Sequence, residues 1–257
     1  MDQAQRRIYL IKALQEESGP FAEAPIPDDE DGQRKLLRSL MNVRPAGRPD
    51  FDVLSVQDDY LQERIAEMGI TQLEDLEPVR PHQYLWQGDI TTIATDAIVN
   101  AANADMTGCW APCHLCIDNC IHTFSGMQLR DECANLIREQ GALEETGQAK
   151  MTDSYNLPCK KIIHTVGPIV HGELAARDRL MLASSYRSCY RCAIDEGLSS
   201  IAFCCISTGV FGFPNDEAAR IAVETIDACQ SESGRILDVV FNVFLDKDLE
   251  IYRKLLA

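Results

Sequence analysis

Residues 200–230, SIAFCCISTGVFGFPNDEAARIAVETIDACQ, pass from a short apolar run through a glycine-bearing turn into helical spacing. Ser200 to Ile206 are apolar on both alternating faces, as a strand covered on both sides by helices must be. Ser207, Thr208, Gly209, Val210, Phe211 and Gly212 make the turn, and Pro214, Asn215 and Asp216 open the helix. The same alternation recurs on either side. YLWQG, AIVNAAN, KIIHTVG and LDVVFNVF read as strands; CIHTFSGMQLRDECANLIREQG, RDRLMLASSYRSCYRCAIDEG and LEIYRKLL carry helical spacing. Strand followed by helix, at least three times over, predicts a three-layer α/β domain across residues 82–257.

Upstream of it, RRIYLIKALQ, QRKLLRSLMNV and DDYLQERIAEMG predict a small helical extension over residues 1–80, its segments separated by the Pro-, Gly- and Asp-rich stretches GPFAEAPIPDDEDG and RPAGRPD. A net charge of −16 argues against a nucleic-acid partner, since such binders neutralise phosphates with Lys and Arg. No apolar stretch is long enough for a membrane span, and the N-terminus has no secretory pattern. The eleven cysteines therefore read as thiols of a reducing compartment, and a soluble cytoplasmic chain is expected. Nothing in the sequence sets an oligomeric state.

In α/β sheets ligands bind beyond the carboxyl ends of strands. Three segments lie there: QGDIT, NAANADMTGCWAPCHLCIDNCIH and STGVFGFPND. In the last, glycines would let backbone N–H groups cradle an anion at a helix N-terminus, although a plain strand-to-helix turn has the same composition. The middle segment places Cys109, Cys113, His114 and Cys116 within eight positions. Thiolates and an imidazole suit Zn2+, and a three-ligand set leaves a coordination position open, as catalytic zinc sites do; unrelated loop cysteines are the bland alternative. Asp118 follows at once, either as a helix N-cap or as a carboxylate positioning water or substrate.

Together these strings resemble the macrodomain family. They are GDIT (Gly88 to Thr91), NAAN (Asn100 to Asn103), the element beginning at Asp118 and ending at His122, HTVGP (His164 to Pro168) and ISTGVFGFP (Ile206 to Pro214). GCWAPCHLCIDN replaces the usual glycine-rich stretch before the aspartate and resembles the zinc-containing subfamily, which also has helices in front. The resemblance implies a mixed sheet between helices and a cleft for ADP-ribose. It implies that Asp89 accepts the adenine amino group with Ile90 N–H beside it, and that the amides of Ser207, Thr208, Gly209, Val210 and Phe211 hold the pyrophosphate. Asn103 and Asp118 would face the distal ribose as catalytic residues, and Cys109, His114 and Cys116 would bind Zn2+, with Cys113 less suited because its neighbour His114 leaves little room.

The activity implied is zinc-dependent removal of mono-ADP-ribose from proteins, with esters of Asp or Glu as the linkage; ADP-ribose and modified proteins are the expected partners. A reader that binds ADP-ribose without cleaving it is the alternative. The CWAPCHLC insertion discriminates, because a reader needs a formed cleft but no metal with an open position. A third reading makes the cysteine cluster a redox switch.

Overall fold

A computed structural model of the chain describes residues 1–17 and 19–257. Three helices come first, α1 (Gln3–Glu16), α2 (Glu30–Val43) and α3 (Phe51–Met68). Asp2 caps α1 reciprocally with Gln5, and Asp29 caps α2 by accepting from Gly32 N–H. Apolar residues at helical spacing, among them Leu10, Leu14, Leu37, Leu40 and Leu61, close a small core of their own, into which Met127 also inserts.

The helical texture ends at Met68, earlier than the boundary expected from the sequence. Two short strands follow, β1 (Thr71–Gln72) and β2 (Pro78–Arg80), and then β3 (Gln83–Gln87), β4 (Ile93–Ala94) and β5 (Ala97–Ala102). Helices α4 (Ile117–Ser125) and α5 (Met127–Gln140) lead to β6 (Ala149–Asp153) and β7 (Lys161–Val166). Then come α6 (Ala176–Asp195), β8 (Ser200–Phe203), α7 (Asn215–Glu232), β9 (Asp238–Val243) and α8 (Asp246–Leu256). The main sheet has the order β2-β3-β9-β8-β5-β7-β6, and β1 pairs separately with β4.

The five inner strands run parallel, and the antiparallel edges β2 and β6 make the sheet mixed. Central strands are buried on both faces: Ile98, Val99, Ile162, Ile163, Ile201, Val239 and Val240 are each 0% exposed. Burial of this kind, on the order of 25 cal/mol per Å² of apolar surface, is the main force holding the layers together. The stretch from Cys120 to Gly141, helical by its spacing, is split between two helices: Gly126 at φ +108° ends α4, and Gln57 of α3 accepts the first N–H of α5, from Met127. Among the described residues no helix is long and apolar enough to cross a membrane.

Candidate functional site

Beyond the carboxyl ends of β5, β8 and β9 lies a cavity of about 710 Å³, well within the range of small-molecule sites. Its wall includes Asn103, Cys109, His114, Cys116, Asp118 and every residue from Ser207 to Phe211. Asp89 and Ile90 lie outside that wall. Ile90 is buried, and Asp89 caps a short 3-10 turn by accepting from Thr91 N–H and Oγ1. Asn242 of the cavity wall donates to Gly88 O at 2.9 Å, so Asp89 follows one residue behind the rim.

The turn after β8 is shaped by two positive-φ residues, Ser207 (+65°) and Gly212 (+70°). It is closed by Gly212 N–H to Gly209 O and Phe213 N–H to Ser207 O, both at 3.0 Å. Those bonds leave the N–H groups of Gly209, Val210 and Phe211 without a protein acceptor among the described residues, a concave donor set suited to an anion. The packing behind the turn explains the glycine of HTVGP: a Cβ on Gly167 would stand 2.1 Å from Ser207 Oγ.

On the opposite wall, Asp118 is the second residue of α4 and not its N-cap. Cys116 takes the cap position, its sulfur accepting from Asn119 N–H at 3.5 Å. Asp118 is 6% exposed, and burial raises its carboxyl to about 7. Asn100 Nδ2 donates to its Oδ1 at 2.8 Å and lies 3.1 Å from His164 Nδ1, which fixes the proton of His164 on Nε2, beside Thr152 Oγ1. His122 Nε2 stands 3.6 Å from the same carboxylate oxygen. Asn103 donates to Gly108 O while its Oδ1 is buried with no protein donor. An acceptor so placed calls for a hydroxyl or water from a ligand.

Cys109 Sγ, a ring nitrogen of His114 and Cys116 Sγ all lie within 4.8 Å of one another, with 3.5 Å between Cys109 Sγ and His114 Nδ1. Those separations match donors on a single tetrahedral ion with Zn–S near 2.3 Å and Zn–N near 2.0–2.1 Å. Burial raises the Cys116 thiol and Cys109 beside it raises it further, a cost that a bound cation would offset. Cys113 turns the other way: its sulfur sits 3.3 Å from Ser39 Oγ and 3.3 Å from the carbonyl of Lys35 in α2. A second group, His122, Cys133 and His164, could also hold a metal, but it is wholly buried, and both nitrogens of His164 already have partners.

Residues 99–222 match the Macro domain family model. The chain is 54% identical to the protein-ADP-ribose hydrolase of Treponema medium over the full length of both proteins. To the protein-ADP-ribose hydrolase of Staphylococcus aureus it is 46% identical, over 96% of this chain and 93% of that one. The chain belongs to the macrodomain family. Among solved structures, the Trypanosoma brucei macrodomain in complex with ADP-ribose superposes with a TM-score of 0.66 at 31% identity, over 85% of this chain and 95% of that one.

Several residues that shape the cleft of this macrodomain carry no signal of their own in the sequence. Arg130 of α5, 5% exposed, places its guanidinium 4.2 Å from the centre of the Trp110 ring and donates to Thr107 O at 2.7 Å. Arg38 reaches the loop of Cys109, His114 and Cys116 from α2, donating to the His114 carbonyl. Phe244, Leu245 and Asp248 supply the far wall. Each comes from an element distant in sequence, and only hydrophobic or charged character, common everywhere, marks it there.

Proposed function

We propose that this macrodomain is a zinc-dependent hydrolase that releases mono-ADP-ribose from modified proteins, with esters of Asp or Glu as its substrate class. The observation that carries the reading is the placement of three soft donor atoms, within 4.8 Å of one another, in the wall of the same cavity as Asp118 and Asn103. A site that only reads ADP-ribose has no use for a donor set with a coordination position open to the cleft. Cys109, His114 and Cys116 would hold the ion, which when bound supplies Lewis acidity and lowers the pKa of water.

The chain's own groups do the rest. The amides of Gly209, Val210 and Phe211 would hold the pyrophosphate through backbone dipoles, which explains how so acidic a chain binds an anion. Asn103 Oδ1 would accept from a hydroxyl of the distal ribose. Asp118, fixed through one oxygen by Asn100, keeps Oδ2 for aligning the ribose or the attacking water. Asp89, with Ile90 N–H near it, would recognise the adenine amino group from behind the rim. In this reading residues 82–257 form the catalytic domain, residues 1–80 the extension, and the free thiols fit a reducing, cytoplasmic setting.

The test uses a protein ADP-ribosylated on acidic residues and counts the ADP-ribose released by the zinc-loaded wild type, by Cys116→Ala and by Asp118→Ala, each verified as folded. Release that collapses in both variants supports the proposal. Tight ADP-ribose binding with no release by the wild type makes the chain a reader, and an undiminished rate after the metal has been stripped from folded protein removes the zinc from the chemistry.

A further inference from the structure

Along α2, Lys35, Arg38, Ser39 and Asn42 fall at helical spacing on one face. That face meets the loop carrying the candidate ligands. Cys113 N–H donates to Asn42 Oδ1 at 2.9 Å, Asn42 Nδ2 donates to Thr123 Oγ1 at 3.0 Å, and the Cys113 sulfur packs on Ser39 and Lys35. The central member is Arg38. Its Nη2 donates to the carbonyl of His114 at 2.8 Å, and its Nε and Nη2 donate to Asn119 Oδ1 at 3.2 and 2.7 Å.

Asn119, 0% exposed, passes the constraint on. Its Nδ2 donates to the carbonyls of Cys109 at 3.1 Å and Ala111 at 3.0 Å, and its backbone N–H donates to Cys116 Sγ. The Arg38 guanidinium and Asn119, the latter through its carboxamide and its backbone N–H, therefore touch the backbone or sulfur of all three candidate ligands. Among the described residues no carboxylate lies within ion-pair distance of Arg38, and the one further contact of its fork is Nη2 to Cys120 Sγ at 3.4 Å. The carboxamide is uniquely suited to the relay, since its oxygen accepts from Arg38 while its nitrogen donates to two carbonyls.

We propose that Arg38, acting through Asn119, is a positioning residue for the metal site, so that the site's affinity for zinc is set in part by a helix of the N-terminal extension. The inference rests on the metal reading of Cys109, His114 and Cys116. A loop already ordered by these bonds loses less freedom when the ion binds than a slack one does. Partners behind metal ligands typically change affinity about 10–100-fold. Lysine cannot replace Arg38, because one ammonium cannot span the His114 carbonyl and Asn119 Oδ1 in the fork geometry.

The experiment is zinc competition against a chromophoric chelator, with the full chain, for wild type, Arg38→Ala, Arg38→Lys, Asn119→Asp and Arg34→Ala, alongside thermal melts of the metal-free proteins and ADP-ribose titrations. Zinc affinity should fall about 10–100-fold in Arg38→Ala. It should fall also in Arg38→Lys, and in Asn119→Asp, which keeps the acceptor for Arg38 but loses both donors to the loop. Arg34→Ala, on the same helix but outside the network, should match wild type. Should Arg38→Ala fail to fold, the Lys and Asp variants carry the same comparison. Folded Arg38 and Asn119 variants that bind zinc within about twofold of wild type overturn the inference. If wild type itself holds no zinc while binding ADP-ribose, the metal reading falls first, and the inference falls with it.

Discussion

Replacing Arg130 with methionine, similar in length and uncharged, isolates what its guanidinium does. Nε donates to Thr107 O at 2.7 Å, and Nη1 donates to Met41 O at 3.1 Å and Arg44 O at 2.5 Å, so one side chain ties α5 to the start of the loop that carries the candidate ligands and to the end of α2. Hydrogen bonds from a charged donor contribute about 1.5–3 kcal/mol each. Against them stands the desolvation that lowers the Arg130 pKa to about 10 from 12.5, a penalty of about 3 kcal/mol. The net loss expected for Arg130→Met is about 2–5 kcal/mol, with buried carbonyls left unsatisfied as its main cause. Urea unfolding should show the midpoint falling by about 1 M or more. Trp110, which loses the cation over its ring, should shift its fluorescence at low urea. A midpoint within about 0.3 M of wild type would falsify this account of the clamp and show that neighbouring groups or water satisfy those carbonyls.

Three other outcomes follow from the geometry. Gly108 sits at φ +85°, and a Cβ there would lie 2.7 Å from the His122 ring; Gly108→Ala combines about 1–2 kcal/mol of backbone strain with about 1–3 kcal/mol of overpacking. Its melting temperature should drop by about 5–15 °C, and an unchanged melt would show that the ring moves aside freely. Burial lowers His164 to about 3, so the unfolded chain takes up the proton first as pH falls below 6.5, and the neutral histidine loses stability from there down towards 3. Asp118, raised to about 7, acts in the opposite sense, which makes the difference between wild type and His164→Gln the proper readout: the variant's deficit should shrink by about 2 kcal/mol between pH 7.5 and 5, and a constant deficit would contradict a neutral His164. Cys113→Ser should retain bound zinc after desalting, whereas Cys116→Ser and His114→Ala should bind it at least about tenfold more weakly; equal losses in all three would mean that Cys113 swings into the site.

The inner strands of the sheet were legible because burial on both faces leaves unbroken apolar runs, as in AIVNAAN and LDVVFNVF. The edges were not. AKMTD of β6 is half polar, and PVR of β2 begins with a proline, which an edge tolerates and a sequence pattern does not announce. The break at Gly126 was hidden inside continuous helical spacing, since a single glycine fits a helix interior as readily as a boundary. The cleft residues Ser207 to Phe211, Asn103 and Asp118 were reachable through the motifs that carry them. Arg38 and Arg130 were beyond reach, because an arginine on an amphipathic helix looks the same whether it faces water or spans to another element.

The distribution of thiols has a practical consequence. Cys133, Cys159, Cys189, Cys204 and Cys229 are buried, and burial raises each of them, Cys159 and Cys204 to about 12. Burial shields such sulfurs from oxidants and alkylating reagents, whereas six thiols, Cys109, Cys113, Cys116, Cys120, Cys192 and Cys205, stand partly open to solvent, four of them between residues 109 and 120. A preparation stored under air would therefore age first where the open thiols are densest, between residues 109 and 120, and would keep its melting behaviour while the thiols proposed to hold a cation were lost.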